Sequence, residues 1–332
     1  MSYQRVAKPR AYIDIIQPSL VNGQISATSE ISGSGLVSDA NTIIQLFDNK
    51  PTNTVNLGGK TASTIQYITV DFGIDADATL LGETMFVAIL GHNLKSSTAK
   101  FKIETDDASD FGSAQTPTMT EICNSDISGG FATPDENGWS LITYSQATDN
   151  RYQRIVIDDI SNYAQNIQIG CILWGMIYNF PVSADLNVKQ SFDYGGLKIN
   201  QSLGGQKYGH ATHLTNGRWT STTEPWNNTT TAGLTSFKSG RKKIDMSFSF
   251  MSESEVFHEK LYGVDETTND DALLNRIIMM TNGGMHPLLL QLDTGNGDAS
   301  DGFLWCRLAK SPSFDQVAYR QYSTSLSFIE EF

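Results

Sequence analysis

From Ile244 to Phe250, the apolar residues Ile244, Met246, Phe248 and Phe250 alternate with Asp245, Ser247 and Ser249. A period of two lines up one face of an extended strand and cannot serve as the buried stripe of a helix. The same signal recurs along the chain. Phe101 and Ile103 alternate with Lys100 and Lys102 within Ala99–Glu104, and Ile65–Phe72 is β-branched and aromatic. Met85–Leu90 is a continuous apolar run, which predicts a central strand buried on both faces. Further strands are expected at Ala11–Ile16, Trp139–Tyr144, Tyr152–Asp158, Ile167–Phe180, Leu288–Leu292, Phe303–Leu308 and Tyr322–Phe328. One helix fits the pattern. It starts at Asn269-Asp270, places Leu273, Leu274, Ile277 and Ile278 on one face, and stops at Asn282-Gly283-Gly284. At that length it predicts a lid on a sheet. The fold class is therefore all-β with one short helix.

Composition agrees. Only 39% of the 332 residues are hydrophobic, and Ser, Thr, Asn, Gln and Gly fill the rest, which suits short strands with polar outer faces. The formal net charge of -13 repels phosphate backbones, so specific nucleic-acid binding is not expected. Cys123, Cys171 and Cys306 are far apart and odd in number, so a complete set of intrachain disulfides is excluded. Arg5, Lys8, Pro9, Arg10 and Asp14 interrupt the start of the chain, which gives no signal-peptide core, and no apolar run is long enough for a membrane-spanning helix. Synthesis in a reducing cytoplasm is the expectation.

Pro181 followed by Val182-Ser183-Ala184 marks the best boundary, giving two β-sandwich or β-barrel domains over 1–183 and 184–332. Ser26–Ser38 reads as a loop. Leu186–Phe192 and Leu197–Ser202 flank Asp193-Tyr194-Gly195-Gly196, the signature of a hairpin turn. Two long polar stretches, Thr105–Gly138 and Gly204–Gly240, read either as surface loops or as arms between subunits.

Two resemblances follow from particular segments. The block from about Thr64 to Pro181 carries Ile68–Gly73 (ITVDFG), Phe86–Leu94 (FVAILGHNL), Ala99–Asp107 (AKFKIETDD), Tyr152–Asp159 (YQRIVIDD) and Ile169–Phe180 (IGCILWGMIYNF). It resembles a galactose-binding-like jelly roll of the discoidin type. From Ala184 onward the chain carries Ser239–Phe257, Leu273–Asp293, Phe303–Leu308 and Tyr322–Phe332. In order and pattern these look like the distal-tail and tail-tube β modules of tailed bacteriophages. The resemblance implies a structural virion protein of the tail, in the distal-tail or baseplate region, that forms a ring (a hexamer or trimer) and attaches neighbouring tail proteins. Rings close through heterologous contacts, for which strand edges and long loops are natural surfaces. The alternative it implies is a carbohydrate-binding, receptor-recognising tail protein.

Chemistry for catalysis is not advertised, and no enzyme activity is expected. Leu57-Gly58-Gly59-Lys60-Thr61 ends like a phosphate loop but has Thr54 where a glycine is needed. His210 and His213 stand as HxxH without a third ligand nearby in sequence. No cofactor is implied. For a host-surface glycan the candidate contacts are His92, Asn93 and Trp139. The competing reading for His92 and Asn93 is a turn that bonds local backbone. Trp139, Trp219 and Trp226 lie in or beside polar stretches, where exposed indoles stack on sugars or anchor interfaces, whereas Trp174 and Trp305 fall inside strands and read as core. Lys238, Arg241, Lys242 and Lys243 form one basic cluster, read as a contact for an acidic partner or as a solvated strand edge; with Trp219 and Trp226 they are the candidate interface residues. Asp293, Asp298 and Asp301 are Ca²⁺ candidates, set against a hairpin tip with Asx turns. Asp71, Asp75 and Asp77 are a second such set.

Overall fold

The computed structural model describes residues 7–21, 23, 31–34, 40–58, 66–73, 84–135, 138–145, 150–157, 163–196, 198–212, 240–257, 272–296 and 302–331. Strands dominate, all pairings among them are antiparallel, and the protein is all-β. Numbered along the chain, the larger sheet begins with β14 (Lys189–Asp193), β17 (Arg241–Ser252), β21 (Gln321–Glu330), β19 (Phe303–Leu308) and β18 (Leu288–Gln291). It continues through β1 (Arg10–Asp14), β13 (Cys171–Asn179), β5 (Thr84–His92) and β10 (Gly138–Ser145) to β7 (Met119–Cys123), with β20 (Phe314–Ala318) beside β21. The smaller sheet runs β2 (Ile31–Ser34), β4 (Gln66–Asp71), β11 (Tyr152–Ile157), β6 (Phe101–Asp106), β9 (Phe131–Pro134) and β8 (Ser125–Ser128). Two ribbons complete the set: β3 (Val55–Gly58) with β12 (Ile167–Ile169), and β15 (Lys198–Gln201) with β16 (Lys207–His210).

Between β4 and β13 the chain crosses from one sheet to the other at nearly every connection, the wiring of a two-sheet jelly roll. The alternation of side chains explains why. Along β5, Met85, Val87 and Ile89 point into the core shared with the smaller sheet, beside Ile68, Ile103, Ile155 and Trp174. Phe86, Ala88 and Leu90 point to the opposite face, with Leu141, Leu173 and Cys171. Both faces are fully buried, so the uninterrupted apolar run of β5 is what its central place requires.

The second face is covered because the larger sheet bends around it. β10 and β19 are separated by four strands in the sheet order. Laid flat they would stand roughly 24 Å apart, yet the Trp139 ring on β10 packs edge-on against Phe303 on β19 at 5.3 Å. Tyr12 lies between them, 5.3 Å from Phe86 and 6.0 Å from Phe303.

Strand β1 ties the two parts of this sheet together. It pairs on one side with β13, Tyr12 opposite Ile177, and on the other with β18, Tyr12 opposite Leu289. Gly175 sits where the two neighbours are tightest: a Cβ there would overlap the carbonyl oxygen of Ile13. Beyond β18, a third core gathers Ile244, Met246, Phe248, Leu304, Leu326 and Phe328. The helix expected after Asn269 is present as a wide π-type turn over Leu274–Met279, with Leu273 and Ile277 buried in that core. Its end is as read, with Asn282, Gly283 and Gly284 at positive φ.

Several expectations are corrected. Phe250 does not continue the buried face of β17. A bulge between Phe248 and Met251 puts Phe250 at φ 60 and leaves it 70% exposed, and Met251 is buried instead. The hairpin between Leu186–Phe192 and Leu197–Ser202 does not form: β14 pairs with β17, and β15 pairs with β16. Within Ser26–Ser38, Ile31–Ser34 is a strand, with Ile31 buried. The polar stretch Thr105–Gly138 is loop only over 107–118 and then carries β7, β8 and β9, because single buried residues such as Ile122 and Ala132 anchor strands too short to show a period.

Candidate functional site

The sequence candidates fall in different places. His92, at the end of β5, is buried, and its Nδ1 accepts the N–H of Leu94 at 3.2 Å. That bond leaves the proton on Nε2, which donates to Ser140 Oγ at 2.9 Å, and Ser140 Oγ donates onward to the carbonyl of Asn124. Burial drives the imidazole down to about 3, so it is neutral. Asn93 is a clamp. Its Oδ1 accepts the N–H of Gln168 and its Nδ2 donates to the carbonyl of Asn166, holding the start of β12 against the end of β5. Trp139 corrects the expectation of an exposed loop indole: it lies in β10, 1% exposed, with its ring against Phe303. Trp174 and Trp305 are buried in strands, as read.

Arg241, Lys242 and Lys243 of the basic cluster sit on β17, an interior strand between β14 and β21, which corrects the reading of a sheet edge. Their partners belong to the same chain. The backbone N–H of Lys242 donates to Glu330 Oε2 at 2.8 Å, the Arg241 side chain stands 3.9 Å from Glu331, and that of Lys243 3.6 Å from Asp245. Asp293 forms an Asx turn, its Oδ1 accepting the N–H of Gly295 and also that of Ala7. Asp71 is held by Arg151 through two bonds of 2.6 and 2.7 Å. Burial pushes its carboxyl up, and the guanidinium outweighs this and brings it below the usual range. Among the described residues, no group of three or more His, Cys, Asp or Glu could hold a metal ion. Lys238, Trp219, Trp226, His213, Asp75, Asp77, Asp298 and Asp301 lie outside the described residues.

Two surfaces stand out, the first of which the sequence did not single out. The first is the outward face of the smaller sheet. The Arg154 guanidinium is stacked between the rings of Tyr67 and Phe111, at 4.2 and 4.0 Å, and bonds Glu104 at 2.7 Å. Lys102 bonds the other oxygen of Glu104 and lies over Phe131. Burial raises the Glu104 carboxyl, but Lys102 and Arg154 together lower it further than burial lifts it. Phe111 reaches this face because Asp106 straps its loop down, accepting the N–H groups of Ala108 and Ser113.

The second is the β15–β16 ribbon. The chain leaves the larger sheet after β14, and the N–H of Thr212 closes the root by donating to the carbonyl of Tyr194. The tip is a well-formed turn in which Ser202 accepts from Gly205 and Gln206, with Gly205 at φ 83. All eight strand residues are exposed, including Ile199 at 62% and Tyr208 at 55%, and Leu203 at the tip is fully exposed. A two-stranded hairpin is marginal in water unless a face of it is buried. The signal was present in the sequence. Gly204-Gly205 is as good a turn as Gly195-Gly196, and it is the one that pairs β15 with its neighbour.

No family model matches the sequence, and no curated protein does. One similar solved structure is CBM62 from Clostridium thermocellum Xyl5A. It is 17% identical, with a TM-score of 0.29, and the match covers 45% of this chain and 94% of that one.

Proposed function

We propose that the chain is a structural subunit of a bacteriophage tail, in the distal-tail or baseplate region, which works in the virion by ring assembly and by holding neighbouring tail proteins. The observation that supports assembly is the arm: an ordered hairpin with Ile199, Leu203 and Tyr208 in solvent has its apolar surface placed for another chain. The tail assignment comes from the pattern of Ser239–Phe257, Leu273–Asp293 and the terminal strand. Electron microscopy of purified protein tests it, and rings of six or three copies are expected. A chain that stays monomeric across concentration and is missing from purified particles overturns the reading.

A second reading, recognition of a host-surface glycan, draws on the outward face of the smaller sheet, where Tyr67, Tyr152 and Phe131 are partly exposed beside charged groups. Aromatic rings flanked by hydrogen-bonding groups suit sugars. A glycan array with wild-type protein and Tyr152→Ala separates the readings; no glycan retained by either protein removes this one.

A further inference from the structure

We infer that copies of this chain associate head to tail, with the β15–β16 arm of one copy seated on the acidic β7–β8 end of the next. This rests on the assembly reading above and adds which surfaces meet.

The arm has a definite chemistry. From Lys198 to His210 it contains two lysines and no acidic residue. Pairing of Lys198 with His210 and of Asn200 with Tyr208 puts Lys198, His210 and Tyr208 on one face, while Ile199 and Lys207 share the other. Each face thus offers a cation next to an apolar group. Such an arm fits a surface that is acidic and has some apolar content, and it does not fit the core of its own chain, where it buries nothing.

The far end of the larger sheet's strand order is acidic, with half-buried Ile127 and Phe131 as its apolar part. Between Ile103 and Arg151 the sequence has nine acidic residues and no lysine or arginine. Asp107, Asp110, Glu121, Asp126 and Asp135 are exposed there. This segment builds the far end of both sheets: β7 is the terminal strand of the larger sheet, β8 is the terminal strand of the smaller one, and Asn124 alone joins them. The arm departs beyond β14, which is the other terminal strand of the larger sheet. Opposite charges therefore sit at opposite ends of one continuous sheet. A contact between unlike ends is heterologous; it repeats from copy to copy and closes into a ring when the rotation between copies allows. Since the arm is exposed, it is not folded back on its own acidic end. Nucleic acid is the poorer occupant, because two lysines on a chain of net charge -13 face strong repulsion from a phosphate backbone.

Reversing charges on the full chain tests this, with self-association followed by sedimentation velocity. One variant carries Lys198→Glu and Lys207→Glu, the other Asp126→Lys and Asp135→Lys. All four side chains are exposed, so melting temperatures close to wild type serve as the folding control. Each variant alone should associate at least about tenfold more weakly than wild type. Mixed in equal amounts they should bind each other again, at least as mixed pairs, because each supplies the arm that the other's end accepts. If wild type assembles but both variants do so with unchanged affinity, or if the mixture does not recover, the arm–end contact is wrong and the assembly reading stands. If wild type never assembles, the assembly reading itself fails.

Discussion

Replace His92 with glutamine and follow the stability of both proteins from about pH 7 to about pH 4.5. In the folded protein Nδ1 is the only place for a second proton, and it already accepts the N–H of Leu94. Protonation would set two N–H groups against each other in a buried site. The imidazole is accordingly held near 3, against 6.5 when free. A folded value below the unfolded one means that the unfolded chain takes up the proton first. The stability tied to His92 is complete above 6.5 and is lost as the pH falls towards 3. By about pH 4.5, two units below the free value, the total loss is about 2.7 kcal/mol, at 1.36 kcal/mol per unit. Against a typical stability of about 5–15 kcal/mol this is a large share.

Glutamine can still donate to Ser140 but places no acceptor where Nδ1 meets the Leu94 N–H, so at neutral pH the variant should be less stable by roughly 1–3 kcal/mol. Its deficit should then shrink on acidification and vanish or reverse near pH 4.5. Lowered carboxyls such as Asp71 and Glu104 also lose stability in acid, but they do so equally in both proteins and cancel in the difference. Urea unfolding at three pH values supplies the comparison. A deficit that stays constant with pH would refute the argument, as would an NMR titration in which the His92 ring protonates near 6.5.

Three further substitutions probe the core. Tyr144→Phe removes a hydroxyl that accepts from Trp174 Nε1 at 2.6 Å and donates to Gln153, all within buried surroundings; denaturant titration should show a loss of roughly 2–4 kcal/mol, and a change under about 0.5 kcal/mol would contradict the network. Gly175→Ala forces a methyl into the backbone of β1, so poor soluble yield or a loss of at least about 3 kcal/mol is expected in melting experiments. Trp139→Ala should cost about 3–5 kcal/mol by the same measurement, and wild-type melting would show that the indole is not packed.

What the sequence made legible were the strands whose environment is uniform along their length. β5 reads as central because neither face meets water, and the first half of β17 reads as two-sided because Ile244, Met246 and Phe248 share one core. Pairing was not legible. Lys198–Gln201 has a turn before it and a turn after it, and nothing in the two Gly-Gly turns distinguishes them: β14 pairs with β17, and β15 pairs with β16. Short strands were missed for a different reason: β8 and β9 span four residues each, less than a period-two pattern needs to rise above chance. The candidate site residues show a third limit. A Trp beside glycines and a His in a turn look exposed, yet the bend of the larger sheet encloses Trp139, and β10 supplies Ser140 to cover His92.

Strand β1 has consequences for the order of events during synthesis. Its two neighbours lie about 165 and 280 residues later in the chain, at Gly175–Asn179 and Leu289–Gln291. At about 5–20 residues per second, its second edge waits on the order of 15–60 seconds after β1 is made. The sandwich can close around β13 well before β18 exists, but the larger sheet cannot. An unpaired flank beside Tyr12 is thus present in every nascent chain, and the yield of folded protein should depend on how fast translation and β18 bring that interval to an end.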